Sequence, residues 1–192
     1  MNNNSFINEL RAAGLPEHLI DTVIGVGQLK SVKSQTTLIE AGKDCRTIYF
    51  ILKGAFVCRH LNQETGDKRT ISFHMVDFQP FITCIDSYFT NLPTACDLLA
   101  ISEAEVLAFR KNDLEELAGA HQILSAFYNA HIINALVSEH GFKTKLIQYS
   151  SESLYRYIIC NYPQIIQKIP SKYIAEFMGI SPEWLSKLKH KT

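Results

Sequence analysis

The 192-residue chain has no apolar run near the roughly 20 residues that a membrane-spanning helix requires. Its opening stretch, MNNNSFINELRAAG, lacks the basic start and following apolar block of a secretory signal. The five cysteines (Cys45, Cys58, Cys84, Cys96 and Cys160) are odd in number and dispersed, with no C-x-x-C pair. That argues against a disulfide framework and against a zinc or iron–sulfur site. The expectation is reduced, mostly buried thiols in a cytoplasmic protein without a metal or cofactor. There is no excess of charge, with 19 basic and 19 acidic residues. No nucleophile–base pair, carboxylate pair or metal-ligand spacing stands out, so an enzyme is not expected.

What is present is unevenly distributed. From Gly141 to Thr192 eight basic residues face three acidic ones, whereas the first 140 residues hold eleven basic and sixteen acidic. An acidic front and a basic tail point to a polyanion met by the tail alone. The first thirty residues carry helical spacing: Phe6, Ile7 and Leu10 precede a break at Gly14, and Pro16 opens a second helix over PEHLIDTVIGVGQLK. Short β-rich runs follow: TTLIEAG, RTIYFILKGAFVCRHL, KRTISFHMV and AEVLAFR. Glu64-Thr65-Gly66-Asp67 suits a hairpin turn. Many short strands with frequent turns predict an antiparallel sandwich or roll.

Beyond Asn112 the pattern is helical. Asn112 and Glu115 have the spacing of a capping box. From about Gln122 to His140 one apolar stripe runs through Ile123, Phe127, Ala130, Ile133 and Val137, and a second through Leu124, Tyr128, Ile132 and Leu136. One stripe can lie on the roll, and the other needs a further surface, most economically the same helix of a second subunit. Another helix is expected near Lys143 to Asn161, ended by Tyr162-Pro163.

The closing segment SKYIAEFMGISPEWLSKLKHKT has helix-turn-helix spacing. Ala175 is small enough for a close helix crossing, and Gly179 can take the positive φ of a sharp turn. Ile174, Met178, Ile180, Leu185 and Leu188 supply a core, while Ser181 caps the second helix and Pro182 suits its first turn. Such a second helix is the kind offered to a DNA major groove.

With these motifs in place, nearly the whole chain resembles the Crp/Fnr transcription regulators. LIEAGKDCRTIYFILKGAFVC is similar to that family's opening roll strands, with glycines at Gly42 and Gly54. SSESLYRYIICNYPQIIQKIPSKYIAEFMGISPEWLSKLK is similar to its C-terminal domain. The resemblance implies an α+β chain: an antiparallel β-roll (a jelly roll of the cyclic-nucleotide-binding type) over residues 1–118, a dimerisation helix over 119–141, and a helix-turn-helix domain over 142–192. By position, Glu183 and Lys187 fall where the family reads base edges, with Ser186 and Trp184 beside them. Ser171, Lys172 and Ser181 complete the DNA-facing set, and Lys189 and Lys191 are expected at phosphates. Pro182 offers no polar group at the first reading position, and Lys187 lacks the bidentate fork of an arginine. The sequence stops at Thr192 without the hairpin wing of many members, so either weaker non-specific binding is expected or helices before the motif supply those backbone contacts.

The family's module grips a cyclic phosphate with a Gly-Glu segment and an Arg-Ser/Thr pair. Here no Gly, Lys or Arg occurs between Thr70 and Phe109, and no Glu between Thr65 and Ser102. An anion stripped of water needs fixed positive charge or a backbone nest, so cyclic AMP is not expected to bind in the usual way. The apolar replacement leaves two accounts: a pocket that has filled in, which is favoured, or one that takes an uncharged effector. Phe78, Phe81, Thr83, Tyr88 and Thr94 are the candidate lining residues. The leading expectation is a homodimeric regulator on a roughly palindromic DNA site. The alternative is a sensor or scaffold that kept the fold and lost DNA reading.

Overall fold

A computed structural model of the chain describes residues 4–62, 64 and 66–191. Helices α1 (Asn4–Ala12) and α2 (Glu17–Val26) lead into strands β1 (Gln28–Val32), β2 (Thr37–Ile39), β3 (Thr47–Lys53), β4 (Ala55–Leu61), β5 (Lys68–Met75) and β6 (Phe81–Ile82). A short α3 (Ile85–Thr90) precedes β7 (Cys96–Ala100) and β8 (Ala104–Arg110). The rest is helical: α4 (Lys111–Ala120), α5 (Gln122–Gln148), α6 (Ser151–Asn161), α7 (Pro163–Lys168), α8 (Ser171–Met178) and α9 (Pro182–Lys191).

The strands form two antiparallel sheets, ordered β1-β8-β3-β6 and β2-β7-β4-β5. This is the expected roll, and its strands divide their side chains between two cores by the period of two. In β3, Tyr49 and Ile51 point between the sheets, while Ile48 and Phe50 point outward under α1, α2 and α5. In β4, Phe56 and Cys58 point inward, while Ala55 and Val57 join Phe73 and Met75 of β5 on the outer face. That outer face is covered by the tail: Tyr173, Ile174, Phe177 and Leu185 share its core. The central strands β3 and β4 are therefore buried on two sides, which is why β3 reads as an unbroken apolar run.

Several expectations shift. The PEHLIDTVIGVGQLK helix stops at Val26, because Gln28–Val32 pairs with Val106 and its neighbours in β8. Asn112 is not a cap: β8 continues to Arg110, which pairs with Thr47, and the helix begins at Lys111. The helix break near Gly141 is absent, and α5 runs on to Gln148. A single helical glycine costs only about 1 kcal/mol, and Phe142 and Leu146 pack on the tail core and hold that stretch in place. The break comes instead at Tyr149, followed by a Ser150 cap whose hydroxyl accepts from the Ser153 amide. Of the 64–67 turn, Thr65 lies outside the described residues, as do the opening Asn2 and Asn3; β4 and β5 pair on either side.

Gly54 joins β3 to β4 at φ +90°, and a Cβ there would lie 2.6 Å from both the Ala104 Cβ and the Glu103 carbonyl oxygen. Positive φ and backbone crowding act together, so Gly54→Ala is expected to destabilise the fold by roughly 2–4 kcal/mol. A lowered urea midpoint with an unchanged m-value is the expected reading.

Candidate nucleic-acid interface and effector cavity

The tail forms the anticipated two-helix unit. Gly179 ends α8 in the left-handed region at φ +65°. The Ile180 amide donates to the Ala175 carbonyl at 3.1 Å, and the Trp184 amide donates to the Ser181 hydroxyl at 3.1 Å. Leu185 and Leu188 are fully buried against α8, which fixes the outward face of α9. Glu183, Ser186, Lys187, Lys189 and Lys191 are exposed along it, with Ser171, Lys172 and Ser181 exposed nearby. The Lys189 ammonium donates to the Ser171 hydroxyl, tying the end of α9 to the start of α8. Trp184 is exposed, with the Lys191 ammonium 5.8 Å from its ring centre, so it does not pack into the helix pair. The Glu183 carboxyl is held below the usual range by backbone N–H at the helix start and by Ser181, leaving it an ionised acceptor at neutral pH.

The unit is anchored to the roll. Glu176 of α8 accepts from Arg59 at 3.2 Å and from the Thr70 hydroxyl at 2.8 Å, and the Arg59 guanidinium lies over the Tyr173 ring. Lys168 of α7 bonds both oxygens of Asp77 in the β5–β6 loop. Gln79 of the same loop donates to Ser138 of α5 at 2.7 Å.

Helix α5 has two unlike sides. Leu124, Phe127 and Tyr128 pack on the roll and Ile132 faces a cavity, whereas Ile133, Leu136 and Val137 are exposed. The two expected stripes thus regroup, with Phe127 on the roll side. Along the outer side, positions 123, 126, 130, 133, 137, 140, 144 and 147 recur at alternating steps of three and four, the spacing of a coiled-coil seam.

Where a filled pocket was favoured, a cavity of about 590 Å³ lies between the roll, α5 and α8. Phe78, Phe81 and Thr83 are among its lining residues. Tyr88 and Thr94 are not among its lining residues. Tyr88 is fully buried and accepts a hydrogen bond from the Tyr128 hydroxyl, and Thr94 bonds Asp86 and braces the Gly42 turn. The lining also includes Arg69, Ser72, His74, Asp86, Glu139, Lys143 and Glu176, which sequence reasoning missed. The cations come from outside the 70–109 window, on β5 and α5, and only folding brings them to the wall. They meet three carboxylates there, of which Asp86 already accepts the Ser87 amide and the Thr94 hydroxyl.

Ser72 and His74 are neighbours on one face of β5, with Oγ to Nε2 at 2.8 Å. The His74 Nδ1 lies 3.3 Å from the Gln79 carbonyl oxygen, which can only accept, so Nδ1 carries the proton and Nε2 accepts from Ser72. Burial pushes the imidazole down to about 4, outweighing the Gln79 bond. So weak a base orients the hydroxyl more than it activates it.

No family model matches the chain, and no curated protein is similar to it in sequence. Solved structures do match. The c-di-GMP responsive global regulator CLP of Xanthomonas campestris is 13% identical with a TM-score of 0.67, covering 92% of this chain and 91% of that one. FixK2 of Bradyrhizobium japonicum is 14% identical with a TM-score of 0.70, covering 86% and 84%. A putative Crp/Fnr regulator of Eubacterium rectale is 12% identical with a TM-score of 0.68, covering 93% and 83%. The chain has the Crp/Fnr fold. Within that fold both the roll and the helix-turn-helix unit are present, and α5 lies between them.

The depressed His74 value carries a linkage. Between about 4 and the usual 6.5 the unfolded chain binds the proton that the folded chain refuses. Folding stability is therefore expected to fall as pH drops through that window, by on the order of 3 kcal/mol from this group. His74→Phe should flatten that part of the profile in urea titrations between those limits, whatever its effect on stability at neutral pH.

Proposed function

We propose that the protein is a DNA-binding transcription regulator that acts as a homodimer on a roughly palindromic site. The observation that carries this reading is the outward face of α9, which presents Glu183, Ser186 and Lys187 from a helix locked by Gly179, Ser181 and two buried leucines. Glu183 suits a cytosine amino group and Lys187 a guanine edge. Ser171, Lys172, Lys189 and Lys191 suit phosphates, and Trp184 a sugar or thymine methyl. The roll over 1–118 serves as the sensing module, α5 as the dimerisation helix and the segment after it as the reader.

Pairing through α5 follows from its uncovered seam. Ile133 is 58% and Val137 65% exposed on the outer side of a helix whose inner side is already buried. A second copy of α5, in parallel, would cover both and set two α9 helices for half-sites about one helical turn apart.

Cyclic AMP is not the proposed effector. The cavity has two cations against three carboxylates, and burial pushes both of its imidazoles, His74 and His131, toward the neutral form, so a phosphate finds no net positive charge. The cavity itself favours a second element of the reading, an uncharged effector sensed by the roll.

Selection of duplex DNA from a random pool by the purified protein is expected to return a palindrome. Lys187→Ala and Glu183→Ala should each relax preference at one position per half-site, by roughly 1–3 kcal/mol, while Lys191→Ala weakens all sequences alike and lowers the salt slope. Absence of any consensus from a folded dimer at low salt would overturn direct reading. Separately, Ile133→Asp with Val137→Asp is expected to convert a dimer to monomer in sedimentation velocity without loss of helix content.

A further inference from the structure

The charged side chains of the cavity between the roll, α5 and α8 lie toward water. Arg69, Asp86, Glu139 and Lys143 are all exposed, and Glu176 is already taken up by Arg59 and Thr70. The rest of the wall is apolar and largely aromatic. Phe78, Phe142 and Phe177 form one edge-to-face series, with successive ring centres 6.0 and 5.8 Å apart. Phe81 and His131 stand together elsewhere on the wall, 4.3 Å between centres. Gly179 borders the same space, with nothing within 4 Å of where a Cβ would stand. A volume of about 590 Å³ suits a small molecule, and ring walls of this kind favour a flat aromatic body.

The hydrogen-bonding capacity of this wall is one-sided. Thr70 and Thr83 each have one hydroxyl hydrogen, given to Glu176 at 2.8 Å and to the Thr47 carbonyl at 2.9 Å. His74 gives its one N–H to the Gln79 carbonyl, and Ser72 gives its O–H to the His74 Nε2. The Cys84 thiol is directed at the Cys96 carbonyl. Ser72 Oγ keeps its acceptor lone pairs, and among the described residues it accepts no hydrogen bond. Once a ligand displaces water, an acceptor among rings is costly to leave unpaired. A ligand that brings a donor is therefore favoured over one that brings none.

We propose that the cavity selects an uncharged, ring-bearing molecule that donates one N–H or O–H group to the Ser72 hydroxyl oxygen. Such selectivity presupposes that the cavity is an effector site, and it adds the chemistry of the effector. A pure hydrocarbon leaves Ser72 Oγ unpaired, and an ion loses hydration that the ring wall does not replace. The bonds from Ser72 to His74 and from His74 to Gln79 hold the acceptor in its role, because the hydroxyl cannot turn to donate to a ligand without giving up the imidazole.

N-phenyl-1-naphthylamine has these features and brightens on leaving water; its N-methyl derivative keeps the rings and lacks the donor. Each is titrated into the full-length protein and followed by fluorescence. The parent probe is expected to bind saturably, roughly three- to tenfold more tightly than the methyl derivative. Ser72→Ala is expected to weaken the parent by the same factor and to leave the methyl derivative unchanged. Ala135→Phe, which fills the space from α5, is expected to remove both, with circular dichroism reporting its helix content. Should that variant fail to fold, Ser72→Ala still decides the pairing. Equal affinity for the two probes, or an equal effect of Ser72→Ala on both, would overturn the donor pairing and leave the effector site standing. No saturable binding of either probe would overturn the pairing and the effector site together. Binding that survives in folded Ala135→Phe would place the probes elsewhere and overturn the pairing.

Discussion

The arrangement rests on one apolar contact, the outer face of β4 and β5 against α8. Val57, Phe73 and Met75 share one core with Tyr173 and Phe177, with Phe73 and Phe177 ring centres 4.8 Å apart. Burial of side chains of this size is worth roughly 1.5–3 kcal/mol each, so the contact outweighs the Arg59–Glu176 pair at its edge. The ion pair fixes register more than it adds stability, because both charges are mostly withdrawn from water and need each other. A helix pair that shares its core with the roll is constrained by it. The position of α9 is set through α8 by β5.

The cavity lies against the same contact. Its lining includes Ser72, Phe73 and His74 of β5, Phe177 of α8, and Ile132 and Ala135 of α5. A molecule within it touches the roll, α5 and α8 at once. Its polarity is mixed and its charges oppose one another, whereas its sulfur atoms and rings are soft and apolar. Chemistry of this kind separates the site from one built for a phosphate.

Local chemistry was legible in the sequence, and convergence was not. Gly179, Ser181 and Pro182 specify their turn within four residues, and the structure repeats it. Gly54, which sits inside the RTIYFILKGAFVCRHL run, marks the point where the chain leaves one sheet for the other at positive φ. The GQLK strand was hidden because its partner, β8, lies some eighty residues away, and helix spacing on its amino-terminal side ran straight into it. The two-residue β6 and the strand at Cys96–Ala100 are too short or too plain to carry a period. Absence of Lys and Arg from 70–109 was a true statement about sequence and a poor guide to the cavity, whose cations arrive as Arg69 and Lys143. Four cysteines with no motif spacing came into one core only through folding.

The outer seam of α5 changes character along its length. Ile133 and Val137 occupy its middle; His140 and Thr144 follow toward the tail, and then Ile147. In a paired helix of about 40 Å, apolar side chains clasp the centre and polar ones leave the lower stretch less tightly closed. A dimer paired this way would work as a caliper: the hinge would be held above, and the jaws carrying the two α9 helices would open or close by small changes in splay without the clasp coming apart.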